Sequence, residues 1–374
     1  MPGPTLARVA AYVFRAPIAK PVVNAFGTMT DRPMVLVTVE DSEGAAGFGE
    51  LWSNFPVVGA EHRARLVQSV FAPLLVGRPL EAPAAAHARL ARTVASQVLQ
   101  TGEPGPFAQC IAGIDQALTD LSARRAGLPV FRFLGGRDAR VPVYASGLGP
   151  EGAEPLALQH WERGFRAFKL KVGFGRERDV ANLRSLRAAL PAAATLMVDA
   201  NQAWSPNEAA AMLPLLQTFD LAWLEEPIAA DRPLAAWQAL AAQAAPLRLA
   251  AGENLCDRAR LEAAIDSHAL RVLQPDIGKW GGYSEGRAIG ARAVDAGMAF
   301  CPHWLAGGVG LAASLHLRAA VGGDGLVEWD ANPNPLRQAF PLPEVVDGAV
   351  TLGEAPGLGF VPDLRALADF AVPL

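Results

Sequence analysis

Cysteine is scarce in this chain. Three in 374 residues, Cys110, Cys256 and Cys301, lie far apart and match no zinc spacing. They read as buried free thiols of a protein in a reducing cytoplasm, which excludes a disulfide framework. Blocks of basic residues are missing too, and the net charge is −4. No nucleic acid or anionic membrane is therefore expected as a partner. No apolar run reaches the length of a membrane span. The opening MPGPTLARVAAYVFRAPIAK has no signal-peptide core and no clear cleavage site. What remains is 51% hydrophobic and 19% charged, the balance of a well-packed globular enzyme.

Residues 5–50 read as strands. LARVAAYVF and the β-branched MVLVTVED alternate, and DSEG marks a hairpin turn before AAGFGE. Between the first two strands, APIAKPVVNAFGTMTDRP is rich in Gly and Pro and reads as a long irregular loop, functional or mobile. LWSNFPVVGAEH (51–62) reads as a second irregular stretch. Residues 61–76, 83–99 and the segment FAQCIAGIDQALTDLSARRAG have helical spacing. The first part is thus an α+β module.

From about residue 140 the texture changes. VPVYAS (141–146), AFKLKV (167–172), LMVDAN (196–201), AWLEEP (222–227), LRLAAGEN (247–254), LRVLQPD (270–276), GMAFCPH (297–303) and LVEWD (326–330) alternate with helical stretches. Parallel strands need crossover helices, and roughly 25 residues per step is the size that builds a β/α barrel. An open doubly wound sheet is the alternative. The expected boundaries are 1–130 for the first module, 131–340 for the barrel and 341–374 for a turn-rich tail packing back on the first module.

Barrels of this kind carry their chemistry at the C-terminal ends of the strands. Those ends hold Lys169 and Lys171, Asp199 and Asn201, Glu225 and Glu226, Glu253 and Asn254, Asp276 with Lys279 beyond it, His303, then Glu328 and Asp330. Each has an ordinary reading alone. Asp199 and Asn201 suit a cap and a turn, Glu225-Glu226-Pro227 a solvated loop, and His303 a structural histidine. But Phe168, Leu170 and Val172 occupy one face of AFKLKVG, so Lys169 and Lys171 face the barrel interior, where an ammonium is tolerated only at a functional site.

Asp199, Glu225 and Glu253 end three successive strands. Like charges converging there require a divalent cation between them. Hard oxygen donors suit Mg²⁺ or Mn²⁺ rather than zinc. Glu226 is expected to face away by strand alternation. Lys169 is expected to depress the pKa of Lys171, and Asp276 to fix the tautomer of His303. A metal between two acid/base groups suits removal of a proton α to a carboxylate through an enediolate. Glu328 is placed to donate a hydrogen bond to that intermediate.

Taken in order, FKLKVG, VDANQAW, WLEEP, AGENL, LQPDIGKWGG, CPHW and VEWD resemble the enolase superfamily, in its mandelate racemase subgroup. The resemblance implies an α/β fold, a modified TIM barrel of the (β/α)7β type, with an α+β capping domain formed by the N-terminal module and the tail. It implies that Asp199, Glu225 and Glu253 ligate Mg²⁺ and that Lys171 and His303, the latter paired with Asp276, are the acid/base catalysts. Lys169 would also contact the substrate carboxylate, and Glu328 would stabilise the intermediate. Asn201 and Asn254 fall at supporting or substrate-contact positions, and Lys279 receives no role. Loops near 20–32 and 51–62 would close over the substrate, giving Lys20, Asn24, Trp52, Asn54 and Phe55 a part in specificity.

In proteins similar to this one, the common outcome is dehydration of an acid sugar, an aldonate or aldarate, to a 2-keto-3-deoxy acid. Racemisation or epimerisation of an α-hydroxy acid and cycloisomerisation of a sugar-acid lactone are the alternatives, as is an inactive ligand-binding homologue. The expected partner is a small carboxylate, and members of the family are often homo-oligomers, dimers or octamers. Trp52, Phe26 and Phe55 make the expected lid less polar than a polyhydroxy acid wants.

Overall fold

The computed structural model describes residues 3–24 and 27–374; Phe26 and the side chain of Asn24, both assigned to the lid above, lie outside what it describes. β1 (Leu6–Asn24) and β2 (Gly27–Asp41) form one long antiparallel ribbon, and β3 (Ala46–Leu51) adds to β2. APIAKPVVNAFGTMTDRP is therefore mostly paired strand, not an irregular loop. The ladder runs to Pro17–Asp31, slips, and resumes at Val22–Met29. Pro17 opens the slip and Pro21 lies inside it, where no ladder donor is needed. Asp41 Oδ1 closes the DSEG turn by accepting from Glu43 N and Ala45 N.

Helices α1 (Gly59–Leu66) and α2 (Ala72–Leu75), joined by a π-helical turn, precede α3 (Pro83–Thr101), α4 (Pro104–Arg125) and α5 (Val130–Phe133). Helix α4 lies directly on β3. Gly49 permits this, because a Cβ there would stand 2.8 Å from Gln116 Cβ and overlap the Gly113 carbonyl. The module has its own core around Val9, Val35, Val37, Ile114 and Leu118.

The remainder alternates strand and helix. β4 (Arg140–Leu148), β5 (Ala167–Lys171), β6 (Thr195–Asp199), β7 (Leu221–Glu225), β8 (Leu249–Ala251), β9 (Val272–Leu273), β10 (Ala299–Phe300) and β11 (Val327–Asp330) are parallel. Between them run α6 (Ala153–Glu162), α7 (Arg176–Ala189), α8 (Pro206–Leu216), α9 (Leu234–Ala244), α10 (Arg258–Asp266), α11 (Gly282–Asp295) and α12 (Gly308–Val321). Local signals place some starts: Ser205 and Glu208 form a capping box on α8, with Pro206 at its first position.

The segment GLGPEG (147–152), from the end of β4 to the start of α6, has the glycine spacing of a dinucleotide-binding turn, which would suit an open doubly wound sheet. The ladder order β10-β9-β8-β7-β6-β5-β4-β11 excludes that sheet, because the last strand returns to pair with the first. Glu328 N donates to Pro302 O (3.2 Å), tying β11 to the chain leaving β10. The fold is the expected (β/α)7β-type barrel with an α+β cap.

Alternation then sorts the side chains. Tyr144, Ala167, Met197, Trp223, Ala250, Val272 and Cys301 fill the barrel interior. Phe168, Leu170, Leu196 and Val198 pack outward against the helices. Lys169 and Lys171 are consequently inside and buried. Cys110 and Cys301 are buried as expected, but Cys256, just past β8, is only partly so. Among the described residues, no helix is long and apolar enough to cross a membrane.

Among the contacts that join cap and barrel are the tail strands and a buried ion pair. In the tail, β12 (Ala349–Thr351) pairs with β4 and β13 (Ala371–Val372) with β1. Arg32 of β2 forms a buried ion pair with Asp330 at the end of β11, which Arg337 also reaches at 3.2 Å.

Candidate active site

The strand register sets one side of the site. Lys171 pairs with Asp199 across β5 and β6, and Asp199 with Glu225 across β6 and β7. Lys171 Nζ is ion-paired with Asp199 Oδ2. Lys169 Nζ lies 2.7 Å from both Glu225 oxygens and 2.9 Å from Glu328 Oε1. Glu225 also accepts from Gln274 Nε2 (2.6 Å) and Trp223 Nε1 (3.3 Å). Gln274 did not figure among the sequence candidates, although alternation from Val272 places it inside.

The other side lies beyond β9 and β10. His303 Nδ1 is 2.6 Å from Asp276 Oδ2, and Asp276 Oδ1 accepts from Gly278 N and Lys279 N. The Asp276–His303 pairing read from the sequence is thus formed. His303 Nε2 faces Glu253 Oε2 (3.3 Å) and Glu328 Oε2 (3.6 Å). Lys279 Nζ reaches the same Glu253 oxygen at 2.6 Å and Asn254 Oδ1 at 3.2 Å. Lys279, without a role in the sequence reading, is therefore the counter-ion of Glu253.

Three expectations need correction. Burial and Lys169 do lower the pKa of Lys171, but Asp199, Glu225 and Glu328 outweigh them and leave it raised. The lysine pair is embedded in carboxylates, not isolated. Burial acts against ionisation of Glu328, yet Lys169, His303 and Lys171 hold its pKa below the usual range. Glu328 is thus held towards its ionised form, and here it accepts from Trp304 N (3.3 Å). Glu226 does not face away: it is buried, bonded by Gln202 Nε2 and Asn254 Nδ2 (2.9 Å each). Its φ of +38° ends strand alternation there, bringing it near Glu253 and Asp199. The same conformation at Asn201 and Gln202 lets Asn201 N reach back to Asp199 Oδ1 at 2.8 Å.

Among the described residues, no three His, Cys, Asp or Glu side chains close into a metal cluster. Asp199, Glu225 and Glu253 each turn onto a lysine instead. The donor chemistry still fits a divalent cation. Six buried carboxylates, Asp199, Glu225, Glu226, Glu253, Asp276 and Glu328, meet three buried ammoniums, Lys169, Lys171 and Lys279, and one imidazole. Even with His303 protonated, the negative charge is in excess. Burial and Asp199 accordingly push Glu225 up to about 7, and burial with Glu253 and Asp199 pushes Glu226 up to about 8. Burial opposes the charge on His303, but Glu253, Glu328 and Asp276 raise it to about 9.

The lid residues divide. Trp52 is half-buried, with Lys279 Nζ 4.7 Å from its ring centroid and Phe55 at 6.5 Å. Asn54 is buried, and its Nδ2 donates to Leu305 O (2.9 Å), the second residue past His303. Lys20 is exposed and leans towards Glu151 O (3.5 Å). It lines a cavity of about 760 Å³ under the ribbon, with Gly147, Gly152, Phe174 and Asn332. None of the buried acids or bases lines that cavity.

The chain is similar to known proteins along most of its length. Residues 8–135 match the mandelate racemase/muconate lactonizing enzyme N-terminal domain, and residues 153–366 the enolase C-terminal domain-like family. The D-galactarolactone cycloisomerase of Agrobacterium fabrum is 32% identical, over 91% of this chain and 92% of its own length. The crystal structure of a mandelate racemase/muconate lactonizing enzyme from Bordetella bronchiseptica RB50 superposes with a TM-score of 0.91 at 51% identity, covering 98% of this chain and 99% of that one. A racemase from Streptomyces coelicolor A3(2) with bound magnesium superposes with a TM-score of 0.89 at 29% identity, covering 98% and 100%. Other relatives carry dehydratase and racemase names. The chain belongs to the enolase superfamily, in its mandelate racemase/muconate lactonizing enzyme group.

Proposed function

We propose that this protein removes the proton α to the carboxylate of a small sugar-derived acid and expels the oxygen on the adjacent carbon. The observation that carries the proposal is the opposition of two acid/base groups across one row of carboxylates, Lys171 on Asp199 and His303 beside Glu253. Lys171, held as an ammonium while Asp199 is its partner, takes the α-proton in the neutral form it would reach once Asp199 is drawn off it. The electron pair it leaves forms a carbon–carbon double bond, and the carbon–oxygen bond breaks. His303, protonated near neutral pH, gives its proton to the leaving oxygen. The enol then becomes a 2-keto acid. Lys169, between Glu225 and Glu328, holds those carboxylates in place.

Asp199, Glu225 and Glu253 are the residues proposed to hold Mg²⁺, which when bound would take up negative charge on the substrate carboxylate and draw Asp199 off Lys171. Loss of a hydroxyl in this way is a dehydration. If the leaving oxygen belongs to a ring, the ring opens and no water is lost. The lid supports the second form: Trp52 and Phe55 are aromatic, and one of the two Asn54 N–H donors is already on Leu305 O. A compact lactone or anhydro acid matches those contacts better than an open polyol.

The test is incubation with Mg²⁺ in D₂O against sugar acids, their lactones and simple α-hydroxy acids. α-Proton exchange is followed by NMR and 2-keto acid is assayed alongside. Keto acid from a lactone or anhydro acid without loss of water supports ring opening, and keto acid from an open β-hydroxy acid supports dehydration. Exchange with inversion and no keto acid replaces both with a racemase.

A further inference from the structure

The Asp276–His303 pair is built from two loops that their own strands barely hold. β9 and β10 contribute two residues each, and beyond them the ladder continues only as a single parallel bridge between Asp276 and His303, with His303 N donating to Pro275 O (3.2 Å). Each loop then runs into a helix without a capping side chain of its own, α11 after Gly281 and α12 after Gly307.

In both cases an acid from the capping domain does the capping. Asp115 Oδ2, on α4, accepts from Tyr283 N (2.7 Å) and Ser284 N (3.0 Å), and its Oδ1 takes the Ser284 hydroxyl. Glu50, at the end of β3, accepts from Gly307 N (2.6 Å) and Gly310 N (2.8 Å). Both acids are buried. Glycines open the way for them. A Cβ at Gly307 would stand 2.6 Å from Glu50 Oε1, and one at Gly282 would overlap the Asp115 carboxylate.

Gln116, beside Asp115 on α4, ties the two contacts together. Its Nε2 donates to Glu50 O (3.0 Å) and Ile277 O (3.1 Å), and its Oε1 accepts from Glu50 N (3.1 Å). Cap contacts therefore fall on the chain just past Asp276, at 277 and 283–284. They fall likewise past His303, at 305, 307 and 310.

We infer that Glu50 and Asp115 are positioning residues for the Asp276–His303 pair, acting through α12 and α11. The inference rests on the acid/base role proposed above for that pair. A carboxylate at a helix N-terminus satisfies N–H groups that have no partner within the helix and meets the positive end of its dipole. Here it also fixes where the helix begins, and so where the preceding loop ends. The cap thus sets the geometry of one acid/base group from outside the barrel.

Glu50→Gln and Asp115→Leu test this in the full chain: the first turns an amide N–H₂ towards a helix N–H, and the second keeps the size but leaves Tyr283 N and Ser284 N without their acceptor. Two readouts need no substrate. Crystal structures give the His303–Asp276 contact, and amide hydrogen exchange compares residues 302–311 and 276–285 with residues 195–201 on the Lys171 side. Glu50→Gln should lengthen the contact and speed exchange over 302–311 by about tenfold, the scale of a lost cap, with 195–201 unchanged. Asp115→Leu should do the same over 276–285, and it carries the test alone if Glu50→Gln does not fold.

With a substrate from the D₂O screen, both variants should lower kcat while KM stays within about twofold. Their ratio of α-proton exchange to product should move towards that of His303→Asn, not that of Lys171→Ala. A drop in thermal stability with loops and contact intact overturns the inference. So do loosened loops with the wild-type ratio. If the wild-type protein acts on no compound, the proposed reaction fails, and the crystal and exchange readouts still decide whether these acids hold the pair.

Discussion

The two sides of the site are made in different ways. Lys169 and Lys171 stand on a five-residue strand that is buried throughout and paired in register with β6 along its length. Asp276 and His303 stand beyond two-residue strands, in loops bonded to side chains of the capping domain. The first side is fixed by neighbours in the ladder. The second has one bridge of ladder, Asp276 to His303, and otherwise bonds to residues far away in sequence, from Glu50 to Asn54 and from Asp115 to Gln116. A barrel can carry one half of a two-base site on its own sheet and lease the other half from a second domain.

The sharpest way to break this comparison is to remove one base from each side. Lys171→Ala should cost about 10³- to 10⁴-fold in turnover and abolish exchange of the α-proton. His303→Asn should cost a similar factor in product yet keep exchange, if the sides act in the order proposed. NMR in D₂O reads both, and loss of exchange in both variants would remove the distinction.

The counter-ions come next. Lys169→Met leaves Glu225 and Glu328 buried without their nearest ammonium, a loss of about 3–5 kcal/mol. Lys279→Met should cost less, because Glu253 keeps His303 at 3.3 Å. Urea midpoints at constant slope compare them, and equal losses would mean the sides are equally self-contained.

A smaller effect concerns α12, which the second side needs. His316 on that helix is buried and accepts from Phe131 N (3.1 Å), and burial pushes its pKa down to about 4. The unfolded ring takes a proton below about 6.5. Between these values the unfolded state binds more protons, so stability falls as the pH drops through that window, by ~3 kcal/mol in all. His316→Gln should flatten that slope in urea titrations at pH 7 and pH 4.5. The smallest effect is that of Gly307→Ala, whose added methyl meets Met34 Sδ at 2.5 Å and Glu50 Oε1 at 2.6 Å. Overpacking there should cost about 1–3 kcal/mol, with raised amide exchange over 302–311 and none over 195–201.

The same contrast explains what the sequence disclosed. Strand side chains repeat every two residues, so Lys169, Lys171, Asp199 and Glu225 could be placed inside the barrel from alternation alone. All eight barrel strands were visible as apolar runs with polar ends. The ribbon at 17–32 was not, because Pro17, Pro21 and Gly27 mimic a loop when the slip that accommodates the prolines is unseen. Glu226 was misplaced because a positive φ at a non-glycine residue leaves no mark in composition. Lys171 and Glu328 were assigned the wrong electrostatic tendency because local spacing does not count the surrounding charges. Glu50 and Asp115 were missed because their partners lie 257 and 168 residues away. The traces they leave are the alternate glycines before Glu50 and the pairs Gly281–Gly282 and Gly307–Gly308.

Capping of the barrel helices from the other domain bears on how such proteins can be rebuilt. A cap exchanged between two relatives to change the lid would also exchange the acids at residues 50 and 115 and the glutamine at 116. The graft would then carry a proton-delivery group in a borrowed frame, whatever its new lid recognised. Chimeras that keep these three side chains and replace only the ribbon and the 51–62 segment separate the two inheritances.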